Sequence, residues 1–408
     1  MKTCDVFIIG GGPTGSIAAA KLVQEGFNVE VVEKVKFPRF VIGESLLPEC
    51  NQLLEDANML DPVIAANFQH KGGVVFQNDS GKSEIVDFSN NMGQKWGSSF
   101  QVKREVFDQL LLEDAEKKGA NVHMESEVVD YDEEANIVTV VHKDGTKEQF
   151  QAKKVLDASG YGRVLPRLLD LEEPSSLALR RAVFCRVEND ERPTDGTDGF
   201  IYVTVYGDNE AWIWNIPFND GITSVGVVCD EAFYQNMGME PEAFLDHILT
   251  TDPHASKRYA NARKINEVGT IGGYSSAVKQ MFGKNYVLAG NASEFLDPVF
   301  SSGVTLALES GARAADLIAK ELRGEAVDWQ KDYAEFMMIG IEVFREFVNS
   351  WYDGRLQTIL FTDLKADKIT KRIVSILSGY VWDENNMFVT APTQAVDATY
   401  RALIAAEA

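Results

Sequence analysis

KTCDVFIIGGGPTGSIAAAKLVQEGFNVEVVE, residues 2–33, decides the fold. Lys2 to Ile9 is a short apolar run with the β-branched character of a buried parallel strand. It enters Gly10-Gly11-Gly12-Pro13-Thr14-Gly15, then an Ala-rich helical stretch, then a second strand, Asn28 to Val32, closed by Glu33. In this pattern Gly10 permits the tight turn, Gly12 lets the backbone approach a pyrophosphate, and Gly15 lets the helix pack on the strand. Glu33 accepts hydrogen bonds from a ribose diol. The helix N-terminus at Pro13 and Thr14 supplies free N–H groups and a positive dipole end for phosphates. Strand, helix and the acid 18 residues beyond Gly15 occur together, which identifies a dinucleotide site but leaves NAD and FAD both open.

The rest of the chain bounds the answer. Its 408 residues suit two to three domains and a large core. With 39 basic and 62 acidic residues the net charge is −23, which repels phosphate backbones and anionic lipid, so nucleic acid and membrane surfaces are not expected partners. No apolar run approaches the roughly 18 residues of an integral membrane segment, and the chain enters its first strand without a signal peptide. A cytoplasmic location is the expectation. Cys4, Cys50, Cys185 and Cys229 form no CxxC and read as buried free thiols, and the five histidines show no metal-ligand spacing, so no metal is expected.

Elements of the nucleotide unit recur far apart, so the domains interleave. Lys103 to Lys118 reads as a helix with Val106, Phe107, Leu110, Leu111 and Ala115 on one face. Strands follow at Val122 to Asp130, Ile137 to Val141 and Glu148 to Leu156, the last running into Asp157-Ala158-Ser159-Gly160. Between these parts lie a hairpin, Gly73 to Phe88, and a three-stranded meander, Phe200 to Tyr206, Ala211 to Pro217 and Ile222 to Cys229, with turns at Gly207-Asp208-Asn209 and Asn219-Asp220-Gly221. Such a sheet can roof a pocket over a bound cofactor. Residues 331–408 read as mostly helical, with Phe336, Phe344, Phe347, Trp351 and Phe361 as packing bulk.

A late segment separates the two cofactors. Asn285 to Leu288 is another strand, leading into Gly290-Asn291-Ala292, and a loop through Asp297-Pro298 and Ser301-Ser302-Gly303 opens a helix at Val304. This aims a second helix N-terminus at whatever the first loop binds. An isoalloxazine suits it, because reduced flavin carries negative charge that a helix dipole stabilises. FAD is therefore the expected cofactor.

The set Gly10-x-Gly12-x-x-Gly15, Glu33, Arg104, Asp157-Ala158-Ser159-Gly160 and Gly290-Asn291-Ala292 resembles the FAD-binding signatures of the aromatic-hydroxylase superfamily. Within it, Phe37-Pro38-Arg39-x-x-Ile42-Gly43-Glu44-Ser45-Leu46-Leu47-Pro48 and Phe295 to Val304 resemble the branch of flavin-dependent halogenases and geranylgeranyl reductases. The resemblance, which covers about residues 3–325, implies an α/β fold: a Rossmann-like FAD-binding domain over 1–70, 101–175 and 265–330 and a substrate-binding antiparallel sheet over 71–100 and 176–264; it leaves the C-terminal helices over 331–408 unassigned. It also implies cofactor contacts from Gly10, Gly12, Pro13, Thr14, Gly15, Glu33, Arg39, Gly43, Glu44, Ser45, Arg104, Asp157, Ala158, Gly160, Gly290, Asn291, Ala292, Pro298, Ser302, Gly303 and Val304.

Two further matches are similar to the halogenases in particular. Trp212-Ile213-Trp214-Asn215-Ile216-Pro217 resembles their WxWxIP signature; with a period of two, Trp212, Trp214 and Ile216 share one strand face. In the family this pair of indoles separates the flavin from the substrate. Phe68-x-x-Lys71-x-Gly73-x-x-Phe76 resembles the segment of the halogenase lysine, which implies that Lys71 holds or carries the hypohalous acid made from reduced flavin, O2 and halide. The resemblance places halide near Ser302 and Gly303. Phe300 stands where tryptophan halogenases have a glutamate, which shifts the expected substrate to a phenol or a pyrrole, free or tethered to a carrier protein. A separate NAD(P)H-dependent flavin reductase is the expected partner. The alternatives are hydride transfer to a C=C bond, direct aromatic hydroxylation, and a flavin-binding module without turnover.

Overall fold

The structure, a computed structural model, describes every residue except Asp208 and Ala408. The expected turn at Gly207-Asp208-Asn209 therefore lies partly outside the described residues. A seven-stranded sheet carries the nucleotide unit. Lys2–Ile9 pairs in parallel with Val29–Val32 on one side and with Lys147–Asp157 on the other, and the late strand Tyr286–Leu288 also runs parallel to Lys147–Asp157. Asn121–His123 extends one edge in parallel, while Ile137–His142 and Ser126–Asp132 extend the other as an antiparallel meander. Helices Pro13–Gln24, Arg104–Lys117 and Ser302–Leu322 pack together, the first in contact with both of the others. Gly311 makes this possible: a Cβ there would lie 2.5 Å from the Thr14 carbonyl oxygen. In the middle helix Phe107, Leu111, Leu112 and Ala115 are buried, whereas Val106, expected on the apolar face, is exposed.

Among the described residues the second sheet has eight strands, centred on Arg180–Glu188, Ile222–Asp230, Ala211–Pro217 and Ile201–Tyr206. Gly73–Gln77 and Ser83–Asp87 form the expected hairpin, but Gly73–Gln77 joins the meander in parallel with Ile201–Tyr206, so the sheet is mixed rather than wholly antiparallel. Residue alternation gives its two faces different neighbours. Val183, Cys185, Ile213, Val225, Val227 and Cys229 form a core with the helical residues Phe244, Leu245 and Ile248. Ala182, Phe184, Val203, Val205, Trp212, Trp214 and Ile216 belong instead to the large core shared with the nucleotide unit.

The C-terminal part is helical: Phe336–Tyr352, Arg355–Phe361, Asp367–Leu377, Met387–Thr390 and Pro392–Glu407. Phe344, Phe347 and Trp351 are fully buried and Phe336 and Phe361 partly so. Each large apolar side chain taken out of water contributes about 1.5–3 kcal/mol, so these helices are integral to the core. The four cysteines are buried and unpaired. Among the described residues no helix is long and apolar enough to cross a membrane.

Candidate functional site

A cavity of about 570 Å³ lies between the two sheets. Gly10, at φ +102°, turns the chain out of the first strand, and a Cβ on Gly15 would lie 1.9 Å from the Gly10 carbonyl oxygen. Those two glycines serve the turn and the packing. Gly12 instead faces open space, with only Arg39 Nη2 within reach of a Cβ, at 3.5 Å. Glu33 is held by backbone donors: Gly11 N–H donates to Oε2 at 2.8 Å and Val35 N–H to Oε1 at 2.9 Å. Its remaining lone pairs border the cavity.

Arg39 and Arg104 also line it, and both are fixed by Asp108. Arg39 Nη1 donates to Oδ2 at 3.0 Å, and Arg104 donates from Nε at 2.7 Å and from Nη2 at 2.9 Å. One buried carboxylate thus organises two guanidiniums and leaves net positive charge beside the glycine loop. Asp108 was absent from the sequence reading; the i,i+4 spacing from Arg104 was its only local signal. An open glycine, a fixed acceptor and two cations match the donor and acceptor pattern of a dinucleotide diphosphate and ribose, so FAD fits the residues present.

Of the other expected contacts, Pro13, Thr14, Gly43, Glu44, Ser45, Ala158, Gly160, Asn291, Pro298, Gly303 and Val304 are on the wall. Gly15, Asp157, Gly290, Ala292 and Ser302 are not. Asp157 is fully buried with both oxygens in use, accepting from Ser159 N–H at 2.9 Å and Leu165 N–H at 2.7 Å. Gly290 packs on Thr14, whose Oγ1 would be 2.4 Å from a Cβ there. Ser302 begins the helix Ser302–Leu322 and is buried, while its neighbour Ser301, left-handed at φ +57°, reaches the wall. The sequence reading missed Tyr161, Tyr274 and Phe295, which complete the aromatic lining from loops.

Trp212 and Trp214 stand on the wall with Ile216, their ring centroids 6.1 Å apart and tilted by 50°. Trp214 lies across Gly226 on the neighbouring strand, where a Cβ would be 2.4 Å from the indole. Each indole N–H has an acceptor: Ser224 Oγ at 3.3 Å for Trp214 and Tyr352 Oη at 2.9 Å for Trp212. Across the sheet Trp214 pairs with Val203 and Val203 with Phe76, and on Phe76 pack Trp351 and Phe300 at 5.3 and 6.5 Å.

Lys71 is off the cavity wall. It ends the short strand Gln69–Lys71, paired with Ser99–Gln101, and is 1% exposed. Its Nζ donates to the Leu46 carbonyl at 2.8 Å and sits 5.1 Å from the Phe88 ring centroid. Burial pushes its ammonium down to about 7. Cys50, hydrogen-bonded to Thr305 Oγ1 at 3.2 Å, is the titratable group that acts on it.

The cofactor cradle and the indole pair define an FAD-dependent oxidoreductase. Comparison with known proteins narrows the class: the profile of the tryptophan halogenase family matches residues 5–99 and 90–396. The chain is 30% identical to the 1H-pyrrole-2-carbonyl-[peptidyl-carrier protein] chlorinase of Pseudomonas fluorescens, over 94% of this chain and 91% of that one. It is also 30% identical to the corresponding brominase of Pseudoalteromonas luteoviolacea, over 81% and 80%. Among solved structures, a flavoprotein/dehydrogenase from Cytophaga hutchinsonii superposes with a TM-score of 0.96 at 38% identity over the whole of both chains. The flavin-dependent brominase Bmp2 gives 0.86 at 25% identity, covering 98% and 100%. The chain belongs to the tryptophan halogenase family of FAD-dependent enzymes.

Proposed function

We propose that the chain halogenates an electron-rich aromatic ring, a phenol or a pyrrole, with the pyrrole carried as an acyl group on a carrier protein. Reduced FAD comes from a separate NAD(P)H-dependent flavin reductase. The observation that carries this reading is the position of Lys71 relative to the indole pair. Trp212 and Trp214 line the cavity, and Lys71 is buried off its wall with an ammonium pushed down to about 7. A hydroxylase that passed oxygen straight to its substrate would have no use for an indole pair on the cavity wall and a buried lysine apart from it.

Reduced FAD with O2 supplies the oxidising equivalent that turns halide into hypohalous acid. Gly303, at the positive end of the helix Ser302–Leu322, favours an anion beside the cofactor; Ser302 adds backbone rather than side chain to that end. Trp212 and Trp214 keep the organic substrate from the step at the flavin. Lys71 is populated in both forms near neutral pH: the ammonium donates a hydrogen bond to the hypohalous oxygen, and the amine attacks the halogen, so that the N–halogen bond forms as the O–halogen bond breaks and the amine proton leaves with the hydroxide as water. Phe300 offers no carboxylate to an indole substrate, and the chlorinase and brominase relatives are named for pyrrole-2-carbonyl carriers, which supports the substrate class.

The sequence holds no second GxGxxG for a nicotinamide cofactor. The FAD-loaded chain is therefore expected to oxidise NADPH negligibly by itself and to consume O2 once a flavin reductase is added. Rapid, substrate-stimulated NADPH oxidation by the isolated protein would favour direct hydroxylation instead.

A further inference from the structure

The C-terminal helix Phe336–Tyr352 ends in a residue that reaches the indole pair from behind. Tyr352 Oη accepts the Trp212 indole N–H at 2.9 Å and donates to Asp297 Oδ2 at 3.1 Å. Tyr274, on the cavity wall, donates to the same oxygen at 3.4 Å, and Val299 N–H donates to Oδ1 at 3.1 Å. The Arg180 guanidinium lies 3.4 Å from the Tyr352 ring centroid. Asp297 and Tyr352 are not on the cavity wall, so neither touches a ligand there. Their hydrogen bonds end on two residues that line it, Trp212 and Tyr274.

We propose that Tyr352 and Asp297 are positioning residues that fix the orientation of Trp212, and that through it the C-terminal helix controls how much oxidised halide reaches the substrate rather than escaping. The proposal rests on the halogenase reading for its second half only. A tryptophan side chain has two torsions, and packing alone leaves the indole free to tip within its slot; a buried hydrogen bond at the N–H removes that freedom. The tie is conditional on the charge of Asp297. Burial raises its carboxyl to about 6 against the opposing effects of Val299 N–H, Arg180, Tyr352 and Tyr274. Above that pH the carboxylate accepts from both tyrosines. Below it, protonation removes the negative charge and part of the acceptor capacity, so the bond from the Tyr352 hydroxyl weakens. The groups facing Asp297 are Arg180 from the second sheet, Tyr352 from the helix, and Tyr274 with Tyr161 behind it from the loops.

The test uses full-length, FAD-loaded protein with its six tryptophans labelled with 15N at the indole nitrogen. The Trp212 N–H resonance is assigned by its disappearance in Trp212→Phe. In Tyr352→Phe that resonance is expected to shift and to exchange faster with solvent while the others stay in place. In the wild type it should titrate with a midpoint near 6, and Asp297→Asn should remove the titration. In Tyr352→Phe the ratio of halogenated product to oxidised halide caught by an added thioether should fall about fivefold, the scale of one buried hydrogen bond. An unmoved Trp212 resonance in Tyr352→Phe overturns the proposal whatever the catalysis. A shifted resonance with an unchanged product ratio overturns the control of halide escape. A shifted resonance in a protein whose wild type shows no halide chemistry supports the positioning and overturns only the halogenase reading.

Discussion

Lys71→Met is expected to stabilise the protein and to abolish halogenated product. In the folded chain the amine titrates near 7 rather than 10.5, because burial disfavours its charge. The unfolded chain therefore binds more protons between those two values, and stability rises with pH across that window. At pH 7 the buried lysine costs roughly 4 kcal/mol relative to a neutral group, from the size of the shift. Methionine removes that cost and gives up one hydrogen bond to the Leu46 carbonyl, worth about 1 kcal/mol, so a net gain of about 2–4 kcal/mol is expected. Denaturant unfolding at pH 7 and pH 9 checks it: the variant should be the more stable, with a smaller margin at pH 9. FAD binding should be retained, since Lys71 is off the cavity wall. A variant that halogenates at the wild-type rate would remove Lys71 from the mechanism.

Changes at the indole pair should behave differently. Trp214 is 5% exposed, and truncating it to alanine is expected to cost about 3–5 kcal/mol. Gly226→Ala attacks the same feature while keeping the indole. Its Cβ would meet the Trp214 ring at 2.4 Å and the Phe184 Cβ at 2.7 Å, and both belong to packed core that cannot yield without moving the wall. Overpacking of this kind costs about 1–3 kcal/mol. Both variants should leave Lys71 chemistry in place but open the barrier, so that more oxidised halide escapes per O2 consumed. Thermal unfolding together with a thioether trap measures the two effects. Wild-type stability in Gly226→Ala would show that the indole is not seated on the glycine.

The features legible in the sequence were those set by local pattern. The glycine loop, the acid at position 33 and the alternation through Trp212, Trp214 and Ile216 all follow from the periods of one strand and one turn, and the structure puts Glu33 and those three on the cavity wall. What the sequence concealed depends on distant partners. Asp157 looked like a ligand from its motif, but its oxygens cap Ser159 and Leu165 N–H groups. The resemblance assigns Lys71 to the hypohalous acid without placing it; its burial follows from the pairing of Gln69–Lys71 with Ser99–Gln101, which no local signal announces. The parallel union of Gly73–Gln77 with Ile201–Tyr206 joins segments more than a hundred residues apart. Tyr352 and Asp297 lie 55 residues apart on different elements, and the helix that carries Tyr352 read only as packing bulk.

Oxidation of halide at the cavity and its use on an aromatic ring are tested most directly by the mass of the product formed when FAD-loaded protein, a flavin reductase, NADPH and O2 are supplied with chloride or bromide. The organic partner should be a panel of phenols and pyrroles, free and as pyrrole-2-carbonyl groups on a carrier protein. Products heavier by one halogen in place of one hydrogen are expected, with the chlorine or bromine isotope pattern following the salt added, and no such product from Lys71→Met. A product that gains oxygen or hydrogen irrespective of halide would contradict that use of halide.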